Sequence, residues 1–184
     1  TPIPTFPPKS WRSLKANPLV IGIDPGTYAM GYGIITQRGS HLEHIHSGAL
    51  VAKRTLPLHE RLLALHQALW KIIDEYHPSH ASVEGVFAHK NVQSTVTLAH
   101  ARGIALLACA QRGIDVVEYS PTQVKTAAVG HGRASKEQVM RMMQRLFPRS
   151  LGHDRFDGYD ALAVAFCHLQ FLKTGDRIRS QVRA

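Results

Sequence analysis

The sequence predicts an α/β fold: a mixed five-stranded sheet, three antiparallel strands followed by two parallel ones, flanked by helices. Three observations predict it. Three β-patterned runs follow one another near the N-terminus, joined by turns too short for a crossover. Strand-like and helix-like segments then alternate, as parallel strands require. The length of 184 residues suits one such domain, and 44% hydrophobic residues supply its core and exclude disorder along the whole chain.

The elements follow in order. Residues 1–18 hold five of the ten prolines and few apolar residues, and read as an irregular arm. Residues 19–173 read as the folded domain, and 174–184 as a basic tail with Arg177, Arg179 and Arg183. Leu19 to Asp24 is a buried strand ended by the turn Pro25-Gly26. Gly31 to Thr36 and Leu42 to Val51 are the next two strands, separated by Arg38-Gly39-Ser40. Leu58, Leu62, Leu65, Leu69, Ile72 and Tyr76 recur at helical steps between Pro57 and the stop at His77-Pro78. Ala81 to Glu84 is a brief fourth strand closed by Gly85. A long helix is predicted from Asn91 to Arg112, with Val92, Val96, Ala99, Gly103, Leu106 and Ala110 on its apolar face. Ile114 to Tyr119 is the fifth strand. Ser120 caps a short helix with Pro121 in its first turn, and Ser135-Lys136-Glu137-Gln138 has the form of a capping box. That helix runs to about Phe147, and a last one covers about Asp157 to Lys173.

Charge and cysteine usage narrow the function classes. Lys and Arg number 22 against 13 Asp and Glu, a formal charge of +9 that suits an anionic partner, nucleic acid above all. Cys109 and Cys167 lie in apolar helical settings, so neither a disulfide scaffold nor a cysteine-based zinc site is expected, and a reducing, cytoplasmic setting fits. No run approaches the ~20 apolar residues of a membrane span. The N-terminus lacks the apolar core of a signal peptide. His44 and His46 alternate on one strand face, but no carboxylate or cysteine pattern accompanies them, and they read as surface residues.

The carboxylates carry the chemistry. Asp24 closes an otherwise apolar strand, where a charge is costly unless it meets a cation or several donors. Asp24-Pro25-Gly26 is also ordinary turn chemistry. A third reading, the Asp-x-Gly-Thr phosphate loop of actin-like ATPases, needs two domains and a far longer chain. Glu84 closes the fourth strand in the same way; taken alone it could be a solvated strand-end residue. Asp157 and Asp160 sit three apart at the head of Ala161-Leu162-Ala163-Val164-Ala165, a stretch too apolar for a solvated helix. In α/β sheets, chemistry gathers at the carboxyl ends of strands. Four carboxylates stay ionised side by side only around a hard divalent cation, and oxygen-only ligands favour Mg²⁺ or Mn²⁺. A basic surface around an acidic, metal-filled pocket suits a nuclease, in which two ions about 4 Å apart clamp an in-line phosphodiester displacement.

Five segments, in order and spacing, carry a resemblance. They are Ile21-Gly22-Ile23-Asp24-Pro25-Gly26 with Gly31-Tyr32-Gly33; Glu84-Gly85-Val86-Phe87; Ala101-Arg102-Gly103; Val124-Lys125 with Val129-Gly130-His131-Gly132; and Asp157-Gly158-Tyr159-Asp160-Ala161-Leu162-Ala163. Over about Val20 to Leu172 the chain resembles the RuvC family of Holliday junction resolvases, which share the ribonuclease-H-like sheet. The resemblance implies that Asp24, Glu84, Asp157 and Asp160 are the catalytic, metal-holding carboxylates. The Asp157 slot can hold a histidine in relatives, and Asp154 and His153 stand one turn away. It implies that Phe87 touches unpaired bases near the crossover and that Lys125 and Lys136 contact DNA. It further implies four-way junction DNA as substrate, a homodimer with two active sites, and the junction-migrating RuvA and RuvB proteins as partners. Two departures stand out: the proline-rich arm is longer than the family pattern, and Gly85 occupies a position where a polar residue is usual. Two rival readings remain, a ribonuclease-H-like nuclease acting on RNA–DNA hybrids or RNA, and a non-catalytic junction-binding module.

Overall fold

Apolar side chains alternate along the central strands between two cores, one on each face of a single sheet. The computed structural model describes residues 17–85, 92–148 and 156–182, with side chains given for 158–174 in the last stretch. Its elements are β1 (Leu19–Asp24), β2 (Ala29–Arg38), β3 (His41–Val51), α1 (Leu58–Tyr76), β4 (His80–Glu84), α2 (Val92–Gln111), β5 (Val116–Tyr119), α3 (Pro121–Val129), α4 (Lys136–Leu146) and α5 (Phe156–Val182). The strand order is β3-β2-β1-β4-β5. β1, β2 and β3 pair antiparallel, while β4 runs parallel to β1 and β5 parallel to β4. This is the mixed sheet that the short early turns and the later strand–helix alternation predict.

Val20 and Ile35 point into a core shared with α3, α4 and α5. Ile21, Ile23 and Ile34 point the other way, against Leu65, Leu69 and Ile73 of α1 and the alanines of α2. Being covered on both faces explains why β1 reads as a continuous apolar run rather than an alternation. Each fully buried Leu or Ile of α1 contributes roughly 1.5–3 kcal/mol. Helix α1 ends where His77 adopts the left-handed conformation, with its N–H bonded to the Ile73 carbonyl and Pro78 barring continuation.

Three expectations are corrected. The buried stripe of α2 is Ala101, Ala105, Ala108 and Cys109. Val92, Val96, Ala99, Gly103 and Ala110, expected on the apolar face, are exposed. Apolar residues are spread over several faces of the helix, so spacing alone could not choose a stripe. The sheet selects alanines, which let the helix come close. Helix α5 does not stop near Lys173 but continues through Val182. His44 and His46 do not share a face: the β2–β3 register shifts between Ile34 and Ile35, so His46 pairs with Ile34 and His44 with Ile35. His46 therefore stacks on Tyr32 and Tyr76, while His44 meets Phe147 on the opposite side. The arm, residues 1–16, lies outside the described residues.

Candidate active site

Parallel pairing of β1 with β4 sets the first two carboxylates. Ile23 lies opposite Val83, so the next residue of each strand, Asp24 and Glu84, emerges side by side at the carboxyl edge. By strand alternation both share a face with Gly22 and Ser82. That is the face α5 crosses. The Ser82 hydroxyl, fully buried, lies 3.2 Å from the Val164 carbonyl of α5 and 3.3 Å from that of Ile21. A Cβ on Gly22 would overlap the Ala161 carbonyl oxygen and the Ala165 nitrogen. Its partner in the ladder, Gly33, is constrained too, though less tightly: a Cβ there would stand 2.9 Å from the Leu162 nitrogen. Two adjacent glycines and a serine thus form a trough that seats α5. The seat brings Asp160, one residue before Ala161, to the ends of β1 and β4.

Two basic residues enter from the other helices of that face. Lys136 is the first residue of α4, fixed by the Ser135 capping box, and its Nζ lies 3.2 Å from Asp160 Oδ2. Lys125 sits on α3, which begins at a second capping box on Ser120. Asp24, Glu84, Asp160, Lys125 and Lys136 all line one cavity of about 380 Å³, walled on its apolar side by Leu98, Val124 and Val139. The backbone past Glu84 is anchored by Gly85 N–H donating to the Tyr119 carbonyl at 2.9 Å.

Electrostatics records the crowding. Burial raises the Asp24 carboxyl well above the usual carboxylate range, and the charges of Glu84 and Asp160 push it further. Glu84 is also raised, chiefly by burial, while Lys136 and Lys125 pull it back. Asp24 and Glu84 share a side-chain hydrogen bond, which one retained proton supplies. Asp160, ahead of the other two carboxylates, raises Lys136 above its usual value. Among the described residues no three acidic, histidine or cysteine side chains converge on one point. Asp24 and Glu84 meet each other instead, and Asp160 meets Lys136. The donor set still fits a hard cation: it is all oxygen, mutually repulsive, and already draws in ammonium groups.

Five of the residues singled out in the sequence are thus brought together: Asp24, Glu84, Asp160, Lys125 and Lys136. Asp157 lies one turn before Asp160 on α5, with its side chain outside the described ones; Phe87, His153 and Asp154 lie outside the described residues altogether. The Arg102 motif is structural: its guanidinium donates twice to Glu118 of β5, at 2.6 and 2.5 Å, tying α2 to the sheet. The residues that sequence reasoning left without a role are Gly22, Gly33 and Ser82. Glycines inside two adjacent strands were the available signal, since such glycines mark close backbone approach.

A family model described as crossover junction endodeoxyribonuclease RuvC matches residues 20–168. The chain is 43% identical over 155 residues to the RuvC of Brucella anthropi, covering 84% of this chain and 90% of that protein. It is 42% identical over 165 residues to that of Ruegeria pomeroyi, covering 90% and 99%. Thermus thermophilus RuvC, solved in complex with a Holliday junction substrate, superposes with a TM-score of 0.78 at 28% identity over 85% of this chain and 96% of that one. The yeast mitochondrial resolvase Ydc2, 13% identical with a TM-score of 0.59, shares the fold. Strand order, acidic strand ends and glycine-seated α5 fall within the matched span, and the chain belongs to the RuvC family of crossover junction endodeoxyribonucleases.

Proposed function

We propose that this chain resolves four-way DNA junctions in homologous recombination and DNA repair, hydrolysing one phosphodiester bond in each of two like strands. The observation that carries this reading is the acidic cavity at the β1 and β4 ends, set in a chain of net charge +9. Asp24, Glu84, Asp160 and Asp157 would hold two divalent ions, Mg²⁺ or Mn²⁺. When bound, such ions polarise the phosphoryl group and lower the pKa of water. The protein's own part is positional. Asp24 and Glu84 stand on rigid strand ends and Asp160 on a seated helix, so their spacing does not depend on a mobile loop. Lys136 and Lys125 bring positive charge to the same cavity, where a phosphate gains most from it. Phe87, three residues beyond Glu84, would contact bases unpaired at the crossover.

Symmetric cutting calls for two active sites, which a two-fold homodimer supplies. RuvA and RuvB would deliver the migrated junction. A cytoplasmic setting agrees with two buried free cysteines, and no helix among the described residues is long and apolar enough to cross a membrane. The test is cleavage of a synthetic four-way junction, a plain duplex and an RNA–DNA hybrid, with and without Mg²⁺. Symmetric nicks confined to the junction are expected. Asp24→Asn, Glu84→Gln and Asp160→Asn should each abolish cutting while junction affinity holds or improves, because each removes a charge that both ligates metal and repels phosphate. Preferred cutting of the hybrid would overturn the reading. So would a carboxylate variant that cuts at the wild-type rate, for that residue.

A further inference from the structure

A second basic feature sits at the same sheet edge, two strands from the acidic cavity. Tyr28, in the turn between β1 and β2, is 43% exposed although large and aromatic. The guanidinium carbons of Arg61 and Arg54 lie 4.3 and 5.2 Å from its ring centroid. Arg61 is fixed from the side: its Nε donates to the Thr27 carbonyl at 3.2 Å and its Nη1 to the Leu56 carbonyl at 2.8 Å. A guanidinium carries five N–H donors, so three of them remain. Lys53, next to Arg54, is exposed. The turn is stitched to the exit of β3 by the Ala52 N–H donating to the Tyr28 carbonyl at 2.9 Å. Among the described residues no carboxylate pairs with Lys53, Arg54 or Arg61; Glu60, the acid in the first turn of α1, lies 4.0 Å from His59.

We infer that Lys53, Arg54 and Arg61, organised on the Tyr28 ring, form a shelf for the phosphodiester backbone of a DNA arm. The inference rests on the nuclease reading above and adds a binding surface to it. Asp24 lies opposite Gly31, which pairs with Ala49, while Ala29 pairs with Val51, so the shelf stands two strands over from the carboxylates and farther out along the same end of the sheet. A cation without a local acid is the group a phosphate meets at least desolvation cost. The ring's part is to hold two long side chains in place.

The test measures DNA binding in chelator, on a junction and on a duplex, as salt is varied. Lys53→Gln combined with Arg54→Gln should lower the salt slope by about 1.8 units, from about 0.9 per lost phosphate contact. Tyr28→Ala should weaken binding about two- to five-fold, the scale of an exposed cation–π contact, and Tyr28→Phe should restore it. Wild-type slopes in the double variant would overturn the shelf, and so would equal binding by Tyr28→Ala and Tyr28→Phe. A wild-type protein that binds duplex as well as junction would count against junction selectivity. The slope difference would still decide the shelf on either DNA.

Discussion

The tightest geometric requirement of the site is the seat under α5, and Gly22→Ala tests it. A Cβ at Gly22 would stand 2.8 Å from Ala165 Cβ, 0.6 Å inside the 3.4 Å at which ordinary contact begins, and closer still to two backbone atoms of α5. A methyl group can be eased by a rotamer change elsewhere, but a helical carbonyl cannot. The helix itself must retreat. Asp160 rides on that helix, and misplacing a reacting group by about 1 Å can cost 10²-fold in rate. Overpacking of this kind costs about 1–3 kcal/mol, partly offset by the ~0.5–1 kcal/mol that Ala gains over Gly in backbone entropy. Single-turnover junction cleavage and urea denaturation are the assays, with circular dichroism to confirm folding. Gly33→Ala is the graded control, because its Cβ would chiefly meet the side-chain carbons of Leu162, at 2.8 and 2.9 Å. The expected order of damage, in both rate and urea midpoint, is Gly22→Ala beyond Gly33→Ala beyond wild type. If Gly22→Ala cuts and unfolds like wild type, α5 does not lie as described and the placement of Asp160 fails with it.

Three further outcomes are expected. His168 is buried, with Tyr119 Oη 2.8 Å from its Nδ1 and no hydrogen-bond partner for Nε2 among the described residues; burial, with His80 second, lowers it from the ordinary 6.5 to about 4. The unfolded chain then binds the extra proton first, so stability is full above pH 6.5 and falls towards pH 4, by at most about 3 kcal/mol; His168→Gln should flatten that slope in urea titrations. Asp24 is shifted the other way, so its contribution to metal-free stability is fullest below its unfolded value of 3.8 and is lost as pH rises through the raised folded one. Thermal melts at pH 8 should therefore gain more from Mg²⁺ than melts at pH 5, and Asp24→Asn should remove that difference. Phe87→Ala should slow cutting of fully paired junctions by about one to two powers of ten and recover on junctions with the crossover bases already unpaired; equal deficits on both would end the wedge role.

The elements most legible in the sequence were those with local punctuation. Pro57 and His77-Pro78 bracket α1, and two capping boxes start α3 and α4 where the pattern puts them. The carboxylates were legible one at a time, because a charge closing an apolar strand is a local anomaly. Their convergence was not local. It needs β4 to insert beside β1 rather than beside β3, a strand order that the rule of strand carboxyl ends suggests but that no local spacing states. The α2 stripe was misread for a related reason: a helix with apolar residues on several faces exposes Val92, Val96 and Leu107, and only the sheet's demand for small residues says which face turns in. The His44–His46 pair failed at a bulge, since one extra residue reverses the side to which every later side chain points.

Stability and chemistry pull against each other at one point of this fold. Desolvated acids at two strand ends, with a third acid beside them on α5, raise the energy of the folded chain when Asp24 and Glu84 are both ionised. Protonation of Asp24 relieves part of that cost by letting it donate to Glu84, and the Lys136 ammonium relieves part at Asp160. The second remedy is open to solvent. The Lys136 side chain is 80% exposed, so its pairing with Asp160 is worth little to stability. The fold spends its rigid trough on holding these acids together while offering them only weak neutralisation. That combination leaves repulsion among the carboxylates that a bound metal ion would relieve.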